Sequence, residues 1–288
     1  MKDEKSISLS HLSKLLFPQD DITKQKVIEY YQKIAPWLLP LGKDHFVVMN
    51  RFPDGIDQDG FYQKQISEYF PDWINRKKIL LKKGSYQELL FLTTKDDLVY
   101  LANQNVVEFH SWLSLIDRPN YPDKMVFDLD PDRNNSLQDM YIVARALKKL
   151  IESYRLTAFI MTTGSQGYHV VVPIFPEHTF DIVHNFAKKL GHIIEMQYPN
   201  ICTIQASKKN RKGKIFIDYL RNSYGQTSIA PYSLRAKKGA PVATPIDWNE
   251  LKKTSPGKYT IFNIFKRLAH KKDPWQNFAK KRQKIIRI

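Results

Sequence analysis

The sequence predicts an α+β fold, and three observations predict it. Short apolar runs with strand character are mixed with longer segments of helical period, without the strict alternation of a doubly wound sheet. Glycine makes up only 11 of 288 residues, and there is no repeat, low-complexity tract or Ser/Gly linker. At 42% hydrophobic and 26% charged residues, the chain can bury an ample core.

Taken in order, Ser8 to Leu16 reads as a short capped segment. Thr23 then precedes a helix over Lys24 to Leu39, with Val27, Tyr30, Tyr31, Ile34 and Leu38 on one face. Phe46 to Asn50 is a strand, and Arg51-Phe52-Pro53-Asp54-Gly55 a turn whose Asp-Gly supplies the bend. Ile79 to Leu81 and Glu88 to Leu92 are short strands, and Asp96 to Phe109 reads as helix. Strand Met125 to Leu129 is followed by a helix over Leu137 to Tyr154, capped by Ser136. Strands Ala158 to Thr162 and Tyr168 to Ile174 flank a glycine-bearing turn. Helix Phe180 to Tyr198 and strand Lys214 to Asp218 come next, then a Pro-rich loop and a helix over Ile261 to His270.

The charge balance is unusual. Lys and Arg number 45 against 29 acids, a formal net charge of +16. The excess is clustered: nine basic residues and one acid lie between Gln205 and Lys238, and the same count recurs from Lys266 to Ile288. Such clustering favours a polyanionic partner, nucleic acid above all, over a merely solubilising surface. Cys202 is the only cysteine, which excludes an internal disulfide framework and a Cys-cluster zinc site and suits a reducing cytoplasm. The N-terminal Met-Lys-Asp-Glu-Lys-Ser has no apolar core of a secretory signal, and no run approaches the ~18 apolar residues that span a bilayer. A cytoplasmic protein with no membrane partner is expected.

The chemistry centres on Met125-Val126-Phe127-Asp128-Leu129-Asp130-Pro131. Strand side chains alternate, so Asp128 and Asp130 project from one face at the strand's end, where Pro131 stops the ladder. Adjacent carboxylates repel unless a cation sits between them. A second apolar run, Lys214-Ile215-Phe216-Ile217-Asp218, ends in another acid. Three carboxylates at strand ends in so basic a chain suggest a divalent-metal site acting on phosphates.

The turn Thr163-Gly164-Ser165-Gln166-Gly167-Tyr168-His169 joins two strands and reads equally as a structural hairpin or as a phosphate cradle with Ser165 as donor. His169, opening the second strand, is either a turn-facing ligand group or a satisfied structural histidine. The run Lys208 to Lys214, containing Arg211, leads into Asp218 and supplies the cations a triphosphate site needs. Arg235 follows an apolar segment, where a guanidinium is costly unless paired with an anion. Phe61-Tyr62 is either core packing or a base-stacking platform worth roughly 1–3 kcal/mol per base. Lys14 and Lys24 flank Leu15-Leu16-Phe17-Pro18 and carry no assignment by themselves. Neither a phosphate-binding P-loop motif nor a hydrolase nucleophile elbow occurs.

Together these motifs are specific. Phe-Asp128-Leu-Asp130-Pro, the Thr-Gly-Ser-Gln-Gly-Tyr-His169 turn, Gly-Lys-Ile-Phe-Ile-Asp218-Tyr-Leu-Arg-Asn and Ala-Pro-Tyr-Ser-Leu-Arg235-Ala occur in that order. Upstream are Lys-Leu-Leu-Phe-Pro, Asn-Arg-Phe-Pro-Asp-Gly, Phe-Tyr-Gln-Lys-Gln and Val-Glu-Phe-His110. The chain resembles the polymerase domain of the prokaryotic end-joining DNA ligase D family, a branch of the archaeo-eukaryotic primases, over roughly residues 8 to 273. The resemblance implies a primase-type fold with central mixed or antiparallel sheets flanked by helices. It implies one domain over residues 1–288, with DNA-end binding in about 1–120 and catalysis in about 121–288.

It further implies Asp128, Asp130 and Asp218 as ligands of two Mn2+ or Mg2+ ions, with Asp218 activating a primer 3′-hydroxyl. His110, Ser165, Arg211 and Arg235 are implied as contacts to an NTP or dNTP, with His169 in the same loop motif. Lys14 and Lys24 match lysines that hold the 5′-phosphate of a DNA gap or break, and Phe61 and Tyr62 match template-stacking aromatics. Ku is an implied partner. Because the chain stops at residue 288, a stand-alone polymerase working with a separate DNA ligase is expected. Gln166 stands where the family commonly has lysine, which removes a cation near the phosphates, and Tyr62 replaces a frequent Phe. The expected function is template-directed nucleotidyl transfer in end joining, favouring ribonucleotides. A two-metal nuclease and a non-catalytic nucleic-acid-binding module are the alternatives.

Overall fold

The computed structural model describes residues 7–80, 84–132 and 135–286. The readings of Met1–Ser6, of Leu81 as a strand end and of Arg287 within the basic tail lie outside them. The first long helix, Lys24–Gly42, begins where the side chain of Thr23 accepts the N–H of Lys26. Its buried stripe is the predicted one, and the helix runs on through Pro36 and Pro40. Two tyrosines of the stripe also act as anchors. The Tyr30 hydroxyl donates to the Tyr232 carbonyl at 2.7 Å, and that of Tyr31 to the Val107 carbonyl at 2.6 Å. Tyr31 in turn accepts from the Leu234 amide at 3.0 Å. One helix thereby fastens two chain segments that carry polar side chains into the cleft described below.

The segment from Asp96 to Phe109 departs from expectation. A helix covers Lys95–Asn103 only, started by a capping box between Thr94 and Asp97. Asn105 then takes a left-handed φ of 62°, and Val106–Leu115 continues as a ten-residue strand. Its β-branched start pairs with His45–Arg51, and this long-range ladder overrides the local helical spacing. The stretch Ser8 to Leu16, expected as a short capped segment, is irregular up to Lys14, and Leu15–Phe17 pairs with Ile22–Thr23 as a small hairpin. The predicted short strands are seen as Arg76–Leu80 and Tyr86–Leu90, paired antiparallel, and the last helix as Ile264–His270.

Two larger sheets organise the rest. The six-stranded one runs in the order Cys202–Thr203, Ile215–Asp218, Lys124–Asp130, Tyr168–Pro173, Phe159–Thr162 and Pro245–Ile246, antiparallel except at its first pair. The four-stranded one runs Thr227–Ile229, Val106–Leu115, His45–Arg51 and Phe61–Gln63. Helices Leu137–Ser153, capped by Ser136 as predicted, and Phe180–Gln197 cover one face of the larger sheet. On that face Met125, Phe127, Leu129, Ile215 and Ile217 are buried against them. The alternate residues, including Asp128, Asp130, Phe216 and Asp218, therefore point the other way, toward the side shared with the four-stranded sheet. The result is an α+β fold with mixed sheets flanked by helices.

Candidate active site

The carboxylates come together through strand register. Asp218 pairs directly with Asp128 across the Ile215–Asp218 and Lys124–Asp130 strands, and His169 pairs with Asp128 from the other side. Asp218, Asp128 and His169 thus form one row across three adjacent strands, with Asp130 two residues along on the same face. The neighbouring turn is clamped by Asn222, whose side chain accepts the Val126 amide at 2.8 Å and donates to the Val126 carbonyl at 2.7 Å.

Arginines meet these acids. Arg221 Nε lies 3.2 Å from Asp218 Oδ2, and its Nη2 lies 3.6 Å from Asp128 Oδ2. Arg211 Nη1 donates to Asp130 Oδ2 at 3.0 Å while its guanidinium stacks on Phe216. His169 Nε2 stands 3.4 Å from Asp128 Oδ1. Burial pushes the Asp218 carboxyl above its usual range, with Arg221 pulling down and the Asp128 charge pushing up. Burial acts the same way on Asp128, but His169 and Arg221 outweigh it and the carboxyl falls below its usual range. Two like groups in one row are thereby pushed apart in acidity.

A cleft of about 440 Å³ opens over this row. Asp128, Asp130, Ser165, Gln166, His169, Arg221, Arg235, His110 and Tyr62 are on its wall. Asp218 and Arg211 are not; each reaches the cleft only through a partner, Arg221 and Asp130 respectively.

The glycine-bearing turn is fitted between two walls. A side chain at Gly167 would meet the Leu129 carbonyl oxygen at 2.0 Å, and Gly164, at φ 67°, would press on Arg235. These glycines let the turn lie against the carboxylate strand, which brings Ser165 to the cleft. The turn is not an open amide cradle, because the amides of Ser165 and Gly167 donate to Thr163 Oγ1 at 3.2 and 3.3 Å.

Opposite lies a residue that the sequence reading passed over. Glu108 is 3% exposed and accepts from Arg235 Nε at 3.0 Å, the Ala236 amide at 2.9 Å and Asn50 at 3.2 Å; His110 Nε2 lies 2.9 Å from its other side-chain contact point, Oε2. Burial would raise its carboxyl; the hydrogen bond to His110 and the Arg235 charge reverse that and bring it to about 2. Burial also lowers the His110 imidazole against the pull of Glu108, so the ring is neutral near pH 7 and acts on Glu108 as a hydrogen-bond donor. The expected anion for Arg235 is therefore Glu108. Its signal was the pair Glu108 and His110, which share a strand face two residues apart.

The other predicted residues form separate patches. Lys14 Nζ is 3.3 Å from Asp54, and Lys24 Nζ is 3.5 Å from Ser10 Oγ. Burial and the neighbouring Lys14 charge lower the Lys24 ammonium below its ordinary value. Two ammonium groups close enough to repel make a favourable seat for an anion. Phe61 and Tyr62, 46% and 58% exposed, lie on the edge strand of the four-stranded sheet, and Tyr62 meets the His110 ring edge-on. They are not core residues.

Among the described residues, no group of three or more His, Cys, Asp or Glu side chains converges as a metal cage. The donor set nevertheless fits hard divalent cations. Three carboxylates are carried in one strand register, and the Arg221 guanidinium lies close to two of them, where positive charge neutralises both. No helix among the described residues is long and apolar enough to cross a membrane.

Comparison with known proteins identifies the family and the fold. The family described as LigD, primase-polymerase domain, matches residues 23–275. The multifunctional non-homologous end joining protein LigD of Pseudomonas aeruginosa is 31% identical over 282 residues, covering 97% of this chain and 34% of that protein. The bifunctional non-homologous end joining protein LigD of Bacillus subtilis is 28% identical, covering 96% of this chain and 45% of that protein. The polymerase domain of Mycobacterium tuberculosis ligase D, solved in complex with DNA, superposes with a TM-score of 0.90 at 27% identity, over 97% of this chain and 100% of that one. Fold and site define a nucleotidyltransferase of the primase-polymerase class. The chain belongs to the LigD primase-polymerase domain family, and it spans between a third and a half of the length of these two curated relatives.

Proposed function

We propose that this protein extends a primer 3′-hydroxyl by template-directed nucleotidyl transfer at gaps or broken ends during non-homologous end joining. The observation that carries the reading is the Asp218–Asp128–His169 row, with Asp130 beside it, under a cleft walled by Ser165, His110 and Arg235. Asp128, Asp130 and Asp218 would hold two divalent ions, Mn2+ or Mg2+. When bound, such ions neutralise charge developing on the α-phosphate and the departing pyrophosphate, and acidify the attacking hydroxyl.

The chain's own residues orient the reactants. Asp218 Oδ1 accepts the Leu220 amide at 2.8 Å and Oδ2 faces Arg221 Nε at 3.2 Å, so Oδ2 takes the hydroxyl proton once Arg221 withdraws from it. His110 and Arg235, both held by Glu108, face the incoming nucleotide together with Ser165. Arg211 joins them by exchanging Asp130 for phosphate. Lys14 and Lys24 seat the 5′-phosphate across the gap, and Phe61 and Tyr62 stack on the template. Ribonucleotides are the favoured substrates, Ku delivers the ends and a DNA ligase seals the product.

Incubation of labelled, gapped DNA with the protein and Mn2+ tests this reading. Lengthening that requires nucleotides supports it; shortening without nucleotides points to a nuclease, and salt-sensitive binding without turnover to a binding module.

A further inference from the structure

The turn at Ser165 receives a cation from a distant segment. Lys237 Nζ donates to Ser165 Oγ at 2.5 Å, although the two are 72 residues apart in the chain. Its backbone is tied down on both sides. The Ala236 amide donates to Glu108 at 2.9 Å, the Lys237 amide to the Arg235 carbonyl at 2.8 Å and the Gly239 amide to Asp20 at 2.7 Å. The left-handed φ of Gly239, 82°, makes the return that allows this.

Only the side chain of Lys237, exposed to solvent, is left to move. Arg235, the cation beside it, is held in place by two bonds: its Nε donates to Glu108 and its Nη1 to the Thr163 carbonyl at 3.2 Å. Among the described residues no carboxylate lies within ion-pair distance of Lys237. The turn itself presents Gln166 to the cleft, a neutral amide.

We propose that Lys237 binds the polyphosphate tail of the incoming nucleoside triphosphate, using the hydroxyl of Ser165 as its resting partner. It supplies from the 235–240 loop the positive charge that Gln166 does not supply from the turn. This assignment rests on the proposed nucleotidyl transfer but concerns one residue's contact, and it can be measured without catalysis. Ser165 Oγ accepts the ammonium in the free protein; with a triphosphate present, an anionic oxygen is the stronger acceptor for the same N–H and the hydroxyl becomes a second donor to it.

The test is equilibrium binding of ATP, ADP and AMP with Mn2+ to the protein without DNA, together with KM and kcat for primer extension. Lys237→Ala is expected to weaken ATP binding about tenfold, the size of one lost charge-assisted hydrogen bond, with AMP binding unchanged. KM should rise in parallel with little change in kcat. Lys237→Arg should retain most of the affinity, and adding Gln166→Lys to Lys237→Ala should restore it, because charge returns from the turn. An unchanged melting temperature in Lys237→Ala separates lost binding from lost folding. ATP affinity that survives Lys237→Ala, or a double variant without recovery, overturns the assignment while leaving the polymerase reading intact. ATP binding that depends on Lys237 in a protein unable to extend any primer supports the assignment and removes the polymerase reading. Wild-type protein that binds no triphosphate overturns both.

Discussion

Asp218 and Asp128 face each other in direct register across two antiparallel strands, and the guanidinium of Arg221 lies 3.2 Å from one and 3.6 Å from the other. Two carboxylates so placed require positive charge between them. Arg221 supplies it when no metal is bound, and must therefore compete with a metal that is.

Replacing Arg221 with Gln removes that competitor. Mn2+ should bind about fivefold more tightly, a gain of the size expected for one partly solvated charge. The metal-free protein should lose stability and regain it on addition of Mn2+, since a ligand of the native state shifts the unfolding equilibrium. Titration calorimetry and thermal melts check both, and unchanged Mn2+ affinity contradicts the competition.

Glu108→Gln preserves shape while leaving Arg235 without its counter-ion. Breaking a buried pair in this way costs about 3–5 kcal/mol, and KM for nucleotide should rise as Arg235 and His110 lose their anchor. The sign of the pH effect follows from a carboxyl held at about 2, below its unfolded value of 4.5. Its stabilisation is fully present above the unfolded value and is lost as pH falls from about 4.5 toward 2, amounting to a contribution on the order of 3 kcal/mol. Urea midpoints measured across that window should fall more steeply in the wild type than in Glu108→Gln.

Gly167→Ala should be far more damaging than Gly213→Ala. The added methyl at Gly167 would sit 2.0 Å from the Leu129 carbonyl oxygen, forcing the turn off the carboxylate strand. Gly213 has a φ of 76° and open space around it, so alanine there costs only the roughly 1–2 kcal/mol of left-handed strain. Denaturant titration of the two variants, with primer extension alongside, distinguishes them.

Lys14→Ala and Lys24→Ala should each erase the preference for a 5′-phosphorylated gap while leaving unphosphorylated DNA bound as before. Binding isotherms on the matched pair of DNAs, at one stated salt concentration, provide the check. Equal losses on both DNAs contradict a phosphate seat.

Much of this site could be read in the residues, for identifiable reasons. Asp128 and Asp130 were legible because an Asp-x-Asp ending an apolar strand has one geometric meaning, and Arg235 because a buried guanidinium demands an anion. Thr23 and Ser136 marked their helices by capping chemistry, and the described ends agree. The strand at Val106–Leu115 was hidden because Leu98, Leu101, Ala102 and Val106 keep a helical spacing past the point where Asn105 breaks the helix. With residues 96–109 read as helix, the strand alternation that puts Glu108 and His110 on one face was not visible, and neither was the pairing of Glu108 with Arg235. Strands of two or three residues such as Cys202–Thr203, Thr227–Ile229 and Pro245–Ile246 carry no periodicity of their own and exist through their neighbours. The contacts Arg221 makes to Asp128 and Lys237 to Ser165 join distant segments and are set by the assembled fold.

The most direct measurement of the central claim is single-turnover primer extension on a 5′-phosphorylated gap with Mn2+, comparing wild type with the nearly isosteric Asp218→Asn. If the three aligned carboxylates carry the chemistry, the rate falls by about three orders of magnitude while DNA binding is unchanged. Extension by Asp218→Asn at close to the wild-type rate would contradict the account.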